Sequence, residues 1–439
     1  MIVGERESSE GDLMRRRFLA RYITVGRRII HRRGFKAILK PSEAYHDIVD
    51  LNAHRRIVSL LDRLDYSHSD LDKNRDLMNR FNHMKKVQVE TVNWFIPNFR
   101  HMFGGAYTIL RFADYFRSKK GIRNRFIICG DLQGSESNIV KRIAKSFPGL
   151  SSERTIVLGK RDVGVIPNSD ISIATSWDSA HVLLKFNRTK GKFYFIQDYE
   201  PLFYPAGTAY ALAETTYRFG FHGIINSPGV LDVVKQEHGS IAEYFTPSVD
   251  RRIFYPSVRR ITESSENNPF AIFFYARPEI ARNAFDLGIS ALQRIEKKHG
   301  KKVRVFAAGS NWYPEDYGME GRITQLGTMS YEKTAEIYRK CDLGVVFMFT
   351  KHPSYLPFEL MACGCPVLTN YNPSTTWFLK DGKNCALTQP SVSSVCEKIE
   401  ELIEDPEYRS RLVQGGLDSI SKTSWDEEIE KIYRFICRD

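Results

Sequence analysis

A glutamate about one turn inside a predicted short helix is the strongest candidate for chemistry in this chain. Residues 352–370 read as loop, helix, tight turn and buried strand, with Ser354 as the predicted N-cap and Glu359 within the helix. Free N–H groups at a helix N-terminus can hold a phosphate, and a nearby carboxylate can accept hydrogen bonds from sugar hydroxyls. This pattern suits a nucleotide-sugar. An ordinary helix of an α/β domain with a solvated Glu359 is the alternative, and the segment alone supports both equally.

Two arginines follow the predicted strand 270–276 in the same half of the chain. Ligands of open parallel sheets bind beyond the carboxyl ends of the strands. Arg277 and Arg282 flank the start of the next helix, where guanidinium groups can neutralise a diphosphate and its leaving charge. A surface ion pair with Glu279 is the alternative. The strand-end position favours diphosphate binding, so Arg277, Arg282 and Glu359 are the candidate catalytic residues.

The run Glu-Leu-Met-Ala-Cys-Gly-Cys-Pro-Val, residues 359–367, resembles the Glu-Ala-Met-Ala-Cys-Gly-x-Pro-Val core of retaining GT-B glycosyltransferases of family GT4. Most members of that family carry a second glutamate eight positions earlier, and here that position holds Lys351. The run His-Pro-Ser-Tyr-x-Pro-x-Glu from residue 352 resembles a subgroup of bacterial rhamnosyltransferases, the WsaF-like enzymes, which use dTDP-β-L-rhamnose. The resemblance covers roughly residues 90–437.

The resemblance implies a donor site in the second half of the chain. It implies that the arginine pair holds the donor diphosphate, with Arg282 in the place of a lysine, and that the loop after strand 323–327 meets the nucleobase through backbone groups. A plain N-cap at Ser330 is the alternative for that loop. Small residues ending strand 303–309 let the backbone approach a ligand closely. The predicted donor contacts in this half are Gly309, Gly327, Met329, Ser354, Tyr355 and Glu359.

A Gly-Gly pair, Gly104 and Gly105, follows the first predicted strand and precedes a helix. It resembles the glycine-rich loop of GT-B N-terminal domains, where bare N–H groups approach the donor diphosphate or the transferred sugar. The pair matches neither the dinucleotide fingerprint of a dehydrogenase nor a P-loop. The predicted acceptor contacts are polar residues near strand ends in this half, for each of which a structural role is the alternative: Arg100, His101, Asp198 and Glu200.

Short apolar runs alternate with helical stretches from about residue 87 onward, which predicts an α/β fold with parallel, doubly wound sheets. A polar, proline-flanked gap at 259–269 marks a linker, after which the alternation restarts. The expected architecture is therefore GT-B, with two Rossmann-like domains facing a cleft and a basic helical N-terminal extension. The expected parts are the extension 1–86, an acceptor domain 87–258, a donor domain 259–423 and a C-terminal helix 424–439 that crosses back to the first domain.

The N-terminal extension is strongly basic. Residues 13–40 carry ten Lys or Arg and no Asp or Glu, with aliphatic residues between them at helical spacing. This pattern predicts an in-plane anchor on an anionic membrane surface, while nucleic acid and a solvated arm are the alternatives. We expect no nucleic-acid partner, because no nucleic-acid-binding motif follows. Residues 44–86 look helical and polar, and they either pack on the first domain or mediate assembly, such as a homodimer.

The composition is that of a globular protein, with 42% hydrophobic and 26% charged residues and a net charge of +12. No apolar run approaches the roughly 20 residues of a membrane span, and the start of the chain lacks a secretory signal. The cysteine pattern predicts a reducing compartment. We therefore expect a cytoplasmic protein, peripheral at the inner face of the cell membrane. No Asp-x-Asp motif lies where a metal-dependent GT-A enzyme would need its clamp, and no zinc spacing is present. We therefore expect neither a metal nor a cofactor, the nucleotide-sugar being a substrate.

These features predict a retaining, metal-independent glycosyltransferase. It would move a sugar, rhamnose from dTDP-β-L-rhamnose, from the nucleotide-sugar donor onto a growing cell-surface glycan or a lipid-linked acceptor. A nucleotide-sugar epimerase of the same fold is one alternative, which would act on the donor without an acceptor. A non-catalytic scaffold of polysaccharide assembly is another, which Lys351 permits and which intact Arg277, Arg282 and Glu359 argue against.

Overall fold

The computed structural model of the chain describes residues 58, 61, 63–97, 104–130, 136–159, 162–257 and 265–439. The predicted lipid anchor at 13–40 and the acceptor candidates Arg100 and His101 lie outside these residues. The chain divides into two compact units, residues 1–65 and 66–439, and both sheets belong to the second. Within the second unit the first helix is α1, His68–Asn82, which Ser67 caps by accepting a hydrogen bond from the backbone N–H of Asp70.

The first domain is a parallel sheet with helices between its strands. The strands are β1 Thr91–Pro97, β2 Arg123–Cys129, β3 Arg154–Val157, β4 Ser169–Ala174, β5 Thr189–Ile196, β6 His222–Asn226 and β7 Ala242–Phe245. The helices are α2 Gly104–Lys120, α3 Glu136–Ser146, α4 Trp177–Lys185, α5 Thr208–Thr215 and α6 Pro228–His238. The seven strands lie in the order β3–β2–β1–β4–β5–β6–β7, so the chain reverses its winding beside β1.

The second domain repeats this plan with six parallel strands. They are β8 Phe270–Ala276, β9 Val303–Gly309, β10 Ile323–Gly327, β11 Leu343–Val345, β12 Val367–Asn370 and β13 Ala386–Thr388, in the order β10–β9–β8–β11–β12–β13. The helices are α7 Phe285–His299, α8 Tyr331–Tyr338, α9 Leu356–Ala362, α10 Val392–Glu404 and α11 Pro406–Ser421, followed by α12 Trp425–Cys437.

The strands are buried on both faces, which is why they read as continuous apolar runs. In β1, Trp94 and Ile96 pack into the core on one side of the sheet, while Phe95 packs on the other side. In β8, Ile272 lies in one core and the next residue, Phe273, lies in the opposite one. Each domain therefore has a core on each face of its sheet. The predicted fold class of two doubly wound parallel domains is confirmed.

Helix α1 belongs to the core of the first domain, although the change of sequence texture suggested a boundary at residue 87. Leu77, Met78 and Phe81 are 3%, 4% and 0% exposed and pack beneath the sheet. The Phe81 ring meets the Phe193 ring edge to face at 5.7 Å, and Asn74 donates to the Phe219 carbonyl at 2.6 Å. The compact unit accordingly begins at Tyr66. Packing on the first domain was one of the two alternatives for residues 44–86, and α1 confirms it for residues 68–82.

Helix α12 returns from the second domain to the first. Its residues Ile429, Ile432 and Ile436 lie in the same core cluster as β1 and α2. The backbone N–H of Val87 donates to the carbonyl of Cys437 at 2.9 Å. The chain therefore passes between the two domains a second time, in addition to the linker. This second connection holds the facing edges of the domains together.

Candidate active site

A cleft of about 1340 Å³ is lined by residues of both domains. Eight of the predicted site residues line it: Gly104, Gly105, Arg277, Gly309, Met329, Ser354, Tyr355 and Glu359. Four other predicted residues lie outside its lining: Arg282, Gly327, Asp198 and Glu200. The residues in the lining follow the carboxyl ends of strands in both sheets, where parallel α/β folds bind their ligands.

Glu359 is buried at the edge of this cleft, with 7% of its surface exposed. Burial raises the pKa of its carboxyl group to about 8, and a hydrogen bond from the Tyr338 hydroxyl opposes that rise. The bond from Tyr338 uses one acceptor position of the carboxyl group, which has several. Glu359 is therefore placed to bind hydroxyl groups of a ligand.

Arg277 lies in the cleft at the end of β8. Its Nη1 donates to the Tyr275 hydroxyl at 3.3 Å, and its Nε lies 3.6 Å from Oε1 of Glu279. The ion pair with Glu279 that was the alternative reading is thus present, in a loose geometry, while Glu279 also accepts from the Ser310 hydroxyl at 2.8 Å. The buried Nε has no hydrogen-bond partner among the described residues. The guanidinium group retains donors for an anion.

Gly309 ends β9 next to Arg277 and adopts φ +139, where side chains are strained. A Cβ here would lie 2.7 Å from the Ala276 carbonyl oxygen and 2.7 Å from Cγ of Arg277. The glycine therefore lets β9 end close against Arg277. Gly327 ends β10 with φ +63, and its missing Cβ makes room for the Asn311 side chain instead of a ligand.

The glycine pair opens α2 close to two side chains of the cleft region. A Cβ on Gly104 would lie 3.0 Å from the Tyr355 ring, and one on Gly105 would lie 3.0 Å from Nε2 of Gln197. Gln197 donates to the Gly105 carbonyl at 3.1 Å. The missing side chains let the first turn of α2 lie close to Tyr355 of the second domain and to Gln197 of the first, and both glycines line the cleft.

Tyr355 joins the two domains. Its hydroxyl lies 2.7 Å from Oγ1 of Thr108 in α2 and accepts a hydrogen bond from Nδ2 of Asn226 at 2.6 Å. Ser354 was expected to cap the following helix, and this was wrong. Helix α9 begins at Leu356, so Tyr355 occupies the N-cap position, with no side-chain cap. Ser354 has φ +68, and its N–H donates to Nδ1 of the buried His352 at 3.0 Å.

Asp198 and Arg282 brace the domains beside the cleft. Asp198 is buried and accepts hydrogen bonds from the Thr350 hydroxyl and, at 3.2 Å, from the backbone N–H of Lys351. Burial raises the pKa of Asp198, while these hydrogen bonds and the charge of Arg282 oppose the rise. The net result is a pKa of about 6. The Arg282 guanidinium lies 4.1 Å above the Phe203 ring of the first domain. Both residues therefore make contacts between the domains.

Glu200 is a structural residue of the first domain. Its Oε2 accepts from the backbone N–H of Trp177 at 2.6 Å and from the Tyr194 hydroxyl at 2.8 Å. Burial raises the pKa of Glu200 to about 8. These bonds fix the start of α4 against β5, and they direct the carboxyl group inward instead of toward the cleft.

Two tyrosines of the cleft, Tyr107 and Tyr331, were not predicted from the sequence as site residues. Tyr107 of α2 meets Tyr331 of α8 edge to face at 4.6 Å, so the pair bridges the cleft. The Ser330 N-cap that was the alternative interpretation of this loop is present, since its hydroxyl accepts from the Lys333 N–H at 3.5 Å. Spacing could not have paired Tyr107 with Tyr331, because they lie in different domains.

Across the described ranges, no three His, Cys, Asp or Glu side chains are grouped so that they could hold a metal ion. Among the described helices, none combines the length and apolarity that crossing a membrane requires.

Family models match both halves of the chain: the WsaF N-terminal domain over residues 87–226 and the WsaF C-terminal domain over residues 270–400. The O-antigen biosynthesis protein RfbC of Myxococcus xanthus is 41% identical over 349 residues, which cover 80% of this chain and 27% of RfbC. The chain thus spans about a quarter of the length of that relative.

Solved structures share the fold at low sequence identity. HepE of Anabaena, in complex with UDP and glucose, is 14% identical with a TM-score of 0.62, covering 80% of this chain and 99% of HepE. WaaG, a glycosyltransferase involved in lipopolysaccharide biosynthesis, is 13% identical with a TM-score of 0.56, covering 79% of this chain and 99% of WaaG. At these identities the likeness establishes the fold alone.

Proposed function

This chain belongs to the WsaF family of GT-B glycosyltransferases, and on that premise we propose that it transfers a sugar from a nucleotide-sugar to a glycan acceptor in polysaccharide biosynthesis. The observation that carries the proposal is the convergence of Arg277, Gly309 and Glu359 with the glycine pair of α2 in one cleft. A diphosphate needs cationic donors and a nucleoside needs a hydroxyl acceptor, and this cleft supplies both.

The proposed mechanism uses Arg277 to stabilise the departing nucleoside diphosphate. The bond between the anomeric carbon and the diphosphate oxygen breaks, and a bond from the acceptor oxygen to the same carbon forms on the same face. The departing phosphate takes the acceptor's proton. Glu359 binds the nucleoside sugar and holds the donor in position. Arg282 would add positive charge near this site, since it interacts electrostatically with both Arg277 and Asp198.

We propose rhamnose from dTDP-β-L-rhamnose as the transferred group, with retention at the anomeric carbon. The support is the match of the 352–359 segment to WsaF-like enzymes and the similarity to an O-antigen biosynthesis protein. A deoxyribose offers Glu359 a single hydroxyl at the 3′ position. That suits a carboxyl group already engaged by Tyr338, whereas a ribose would present two hydroxyls.

Calorimetric titration with dTDP-, UDP- and GDP-sugars tests the proposal. We expect the dTDP-sugar to bind most tightly, and we expect a glycosylated product only when an acceptor glycan is added. If only a UDP-sugar binds tightly, the dTDP-sugar is not the donor. Conversion of the donor to an epimer without acceptor would overturn the transferase assignment.

Nucleotide binding is expected to strengthen as the pH rises toward 8. The carboxyl group of Glu359 has a pKa raised to about 8, and ligand hydroxyls that donate to it favour its charged form. Binding therefore releases a proton below that pH. Affinity should rise about tenfold between about pH 6 and about pH 8 and then level off. Glu359→Gln keeps the shape and should flatten this dependence, which calorimetry in buffers of different ionisation enthalpy measures. An unchanged slope in that variant would exclude Glu359 as the titrating group.

Turnover is expected to persist in excess EDTA, because a fixed guanidinium group takes the part that a divalent ion plays elsewhere. Initial rates measured before and after chelation give the comparison. If activity disappears and magnesium or manganese restores it, a metal clamp operates and the assignment of Arg277 to the leaving group is wrong.

A further inference from the structure

One wall of the cleft is built by the first domain alone and lies beyond the predicted donor residues Gly104 and Gly105 at the start of α2. Helix α2 contributes Arg111, Asp114, Ser118 and Lys119, and helix α3 contributes Arg142 and Lys145. We call this surface the α2–α3 wall. Its cleft of about 1340 Å³ exceeds the roughly 300–1000 Å³ of a typical small-ligand site, so it has room for a second substrate beside the donor.

The α2–α3 wall is a defined surface because the two helices are fixed side by side. The Tyr107 hydroxyl on α2 donates to Oγ of Ser146 on α3 at 3.2 Å, and its ring lies 5.6 Å from the Phe147 ring. The same Tyr107 contacts Tyr331 of the second domain. Tyr107 therefore stands between the wall and the donor side of the cleft, so a ligand on the wall would lie next to the reacting sugar.

The wall carries an excess of positive charge. With Arg252 and Asp250 of the same domain included, five cationic and two acidic side chains of the first domain line this part of the cleft. Asp250 is neutralised, since it lies 3.8 Å from Arg111 and 2.9 Å from Arg252. Lys119 and Lys145 form no ion pair with any residue that the structure describes.

We propose that the α2–α3 wall binds a phosphate group carried by the acceptor, with Lys119 and Lys145 as its principal contacts. The inference rests on the proposed transferase function, because it places the acceptor's anionic end beside the donor site. Lysine ammonium groups bind phosphate as point charges, and hydroxyls of Ser118 and Ser146 add neutral donors. A bilayer is a poorer occupant, since the lysines line a concave cleft and a flat surface cannot follow it.

The experiment titrates inorganic diphosphate into the full chain carrying Arg277→Ala, so that the donor arginine does not contribute. On this background we compare two double variants. The wall pair combines Lys119→Gln and Lys145→Gln, and the control pair combines Lys141→Gln and Lys297→Gln. The control removes the same charge from exposed positions outside the cleft. We expect the wall pair to weaken diphosphate binding about tenfold or more, as for charged hydrogen bonds, and the control pair to change it little. Binding to the unsubstituted wall should also weaken from about 0.1 M to about 1 M salt.

Three outcomes decide the matter, with thermal unfolding used to verify that every variant folds. Equal loss in the wall and control pairs would overturn the inference, since it would mean a general charge effect. Loss of binding to anionic phosphatidylglycerol vesicles, without loss of diphosphate binding, would assign the wall to a membrane surface and overturn it as well. A wall-specific loss of diphosphate binding supports the inference. The donor proposal is judged separately, by binding of nucleotide-sugars to the chain with Arg277 intact.

Discussion

Removing residues 1–86 is expected to unfold the first domain, whereas removing residues 1–65 is expected to leave nucleotide binding intact. The difference is helix α1, which places Leu77, Met78 and Phe81 in the core beneath the first sheet. Each of these side chains contributes roughly 1.5–3 kcal/mol by burial, and a domain of this kind is stable by only about 5–15 kcal/mol. Loss of all three, and of the bond from Asn74 to Phe219, removes most of that margin.

Thermal unfolding and circular dichroism of the two shortened chains measure the effect. The chain that starts at Tyr66 keeps the Ser67 cap of α1 and the whole second unit, so it serves as the matched control. A chain starting at residue 87 that melts cooperatively at the same temperature as the control would contradict the assignment of α1 to the core.

The same pair of chains addresses the predicted lipid anchor at residues 13–40. The chain starting at Tyr66 lacks all ten basic residues of that stretch, so it should bind anionic vesicles more weakly than the full chain at low salt. Co-sedimentation with vesicles gives the measurement. Equal sedimentation of the two chains would remove the anchor from residues 13–40.

Strands were predictable wherever burial on both faces made the sequence uniformly apolar. The bounds of β8, β9 and β10 agree with the sequence prediction, because each ends at a small residue, Ala276, Gly309 or Gly327. Strand β13 has only three residues and carries too little pattern to be recognised. Helix α1 was recognised as helical, yet its contact with β5 depends on residues more than a hundred positions away. Local periodicity cannot supply such a contact.

Site residues were predictable where the chain that follows a strand enters the cleft. They were not predictable where the side chain after a strand turns into the core. Arg277 and Glu359 line the cleft because the chain leaves β8 and enters α9 at its edge. Glu200 also follows a strand, but the Trp177 N–H and the Tyr194 hydroxyl draw its carboxyl group into the core. Asp198 is likewise satisfied by Thr350 of the other domain. Sequence position gives the edge of the sheet, whereas the direction of a side chain depends on distant partners.

Arg277→Ala is expected to lower the transfer rate about 100- to 1000-fold, the range found when one preorganised donor to a developing charge is removed. The guanidinium group is the one cation at the end of β8 that lines the described cleft, and its Nε has no hydrogen-bond partner among the described residues. Folding should change little, because the ion pair with Glu279 is loose at 3.6 Å and partly exposed.

The measurement is kcat with saturating donor and acceptor, together with thermal unfolding of each variant. Arg304→Ala is the matched control, since Arg304 is an exposed arginine on β9 of the same domain and lies outside the cleft lining. Arg277→Lys should recover part of the rate, because an ammonium group keeps the charge but loses the paired donors that a diphosphate accepts from an arginine. If Arg277→Ala and Arg304→Ala reduce kcat by the same small factor, the leaving diphosphate is stabilised elsewhere, and the backbone amides of Gly104 and Gly105 at the start of α2 become the groups to test.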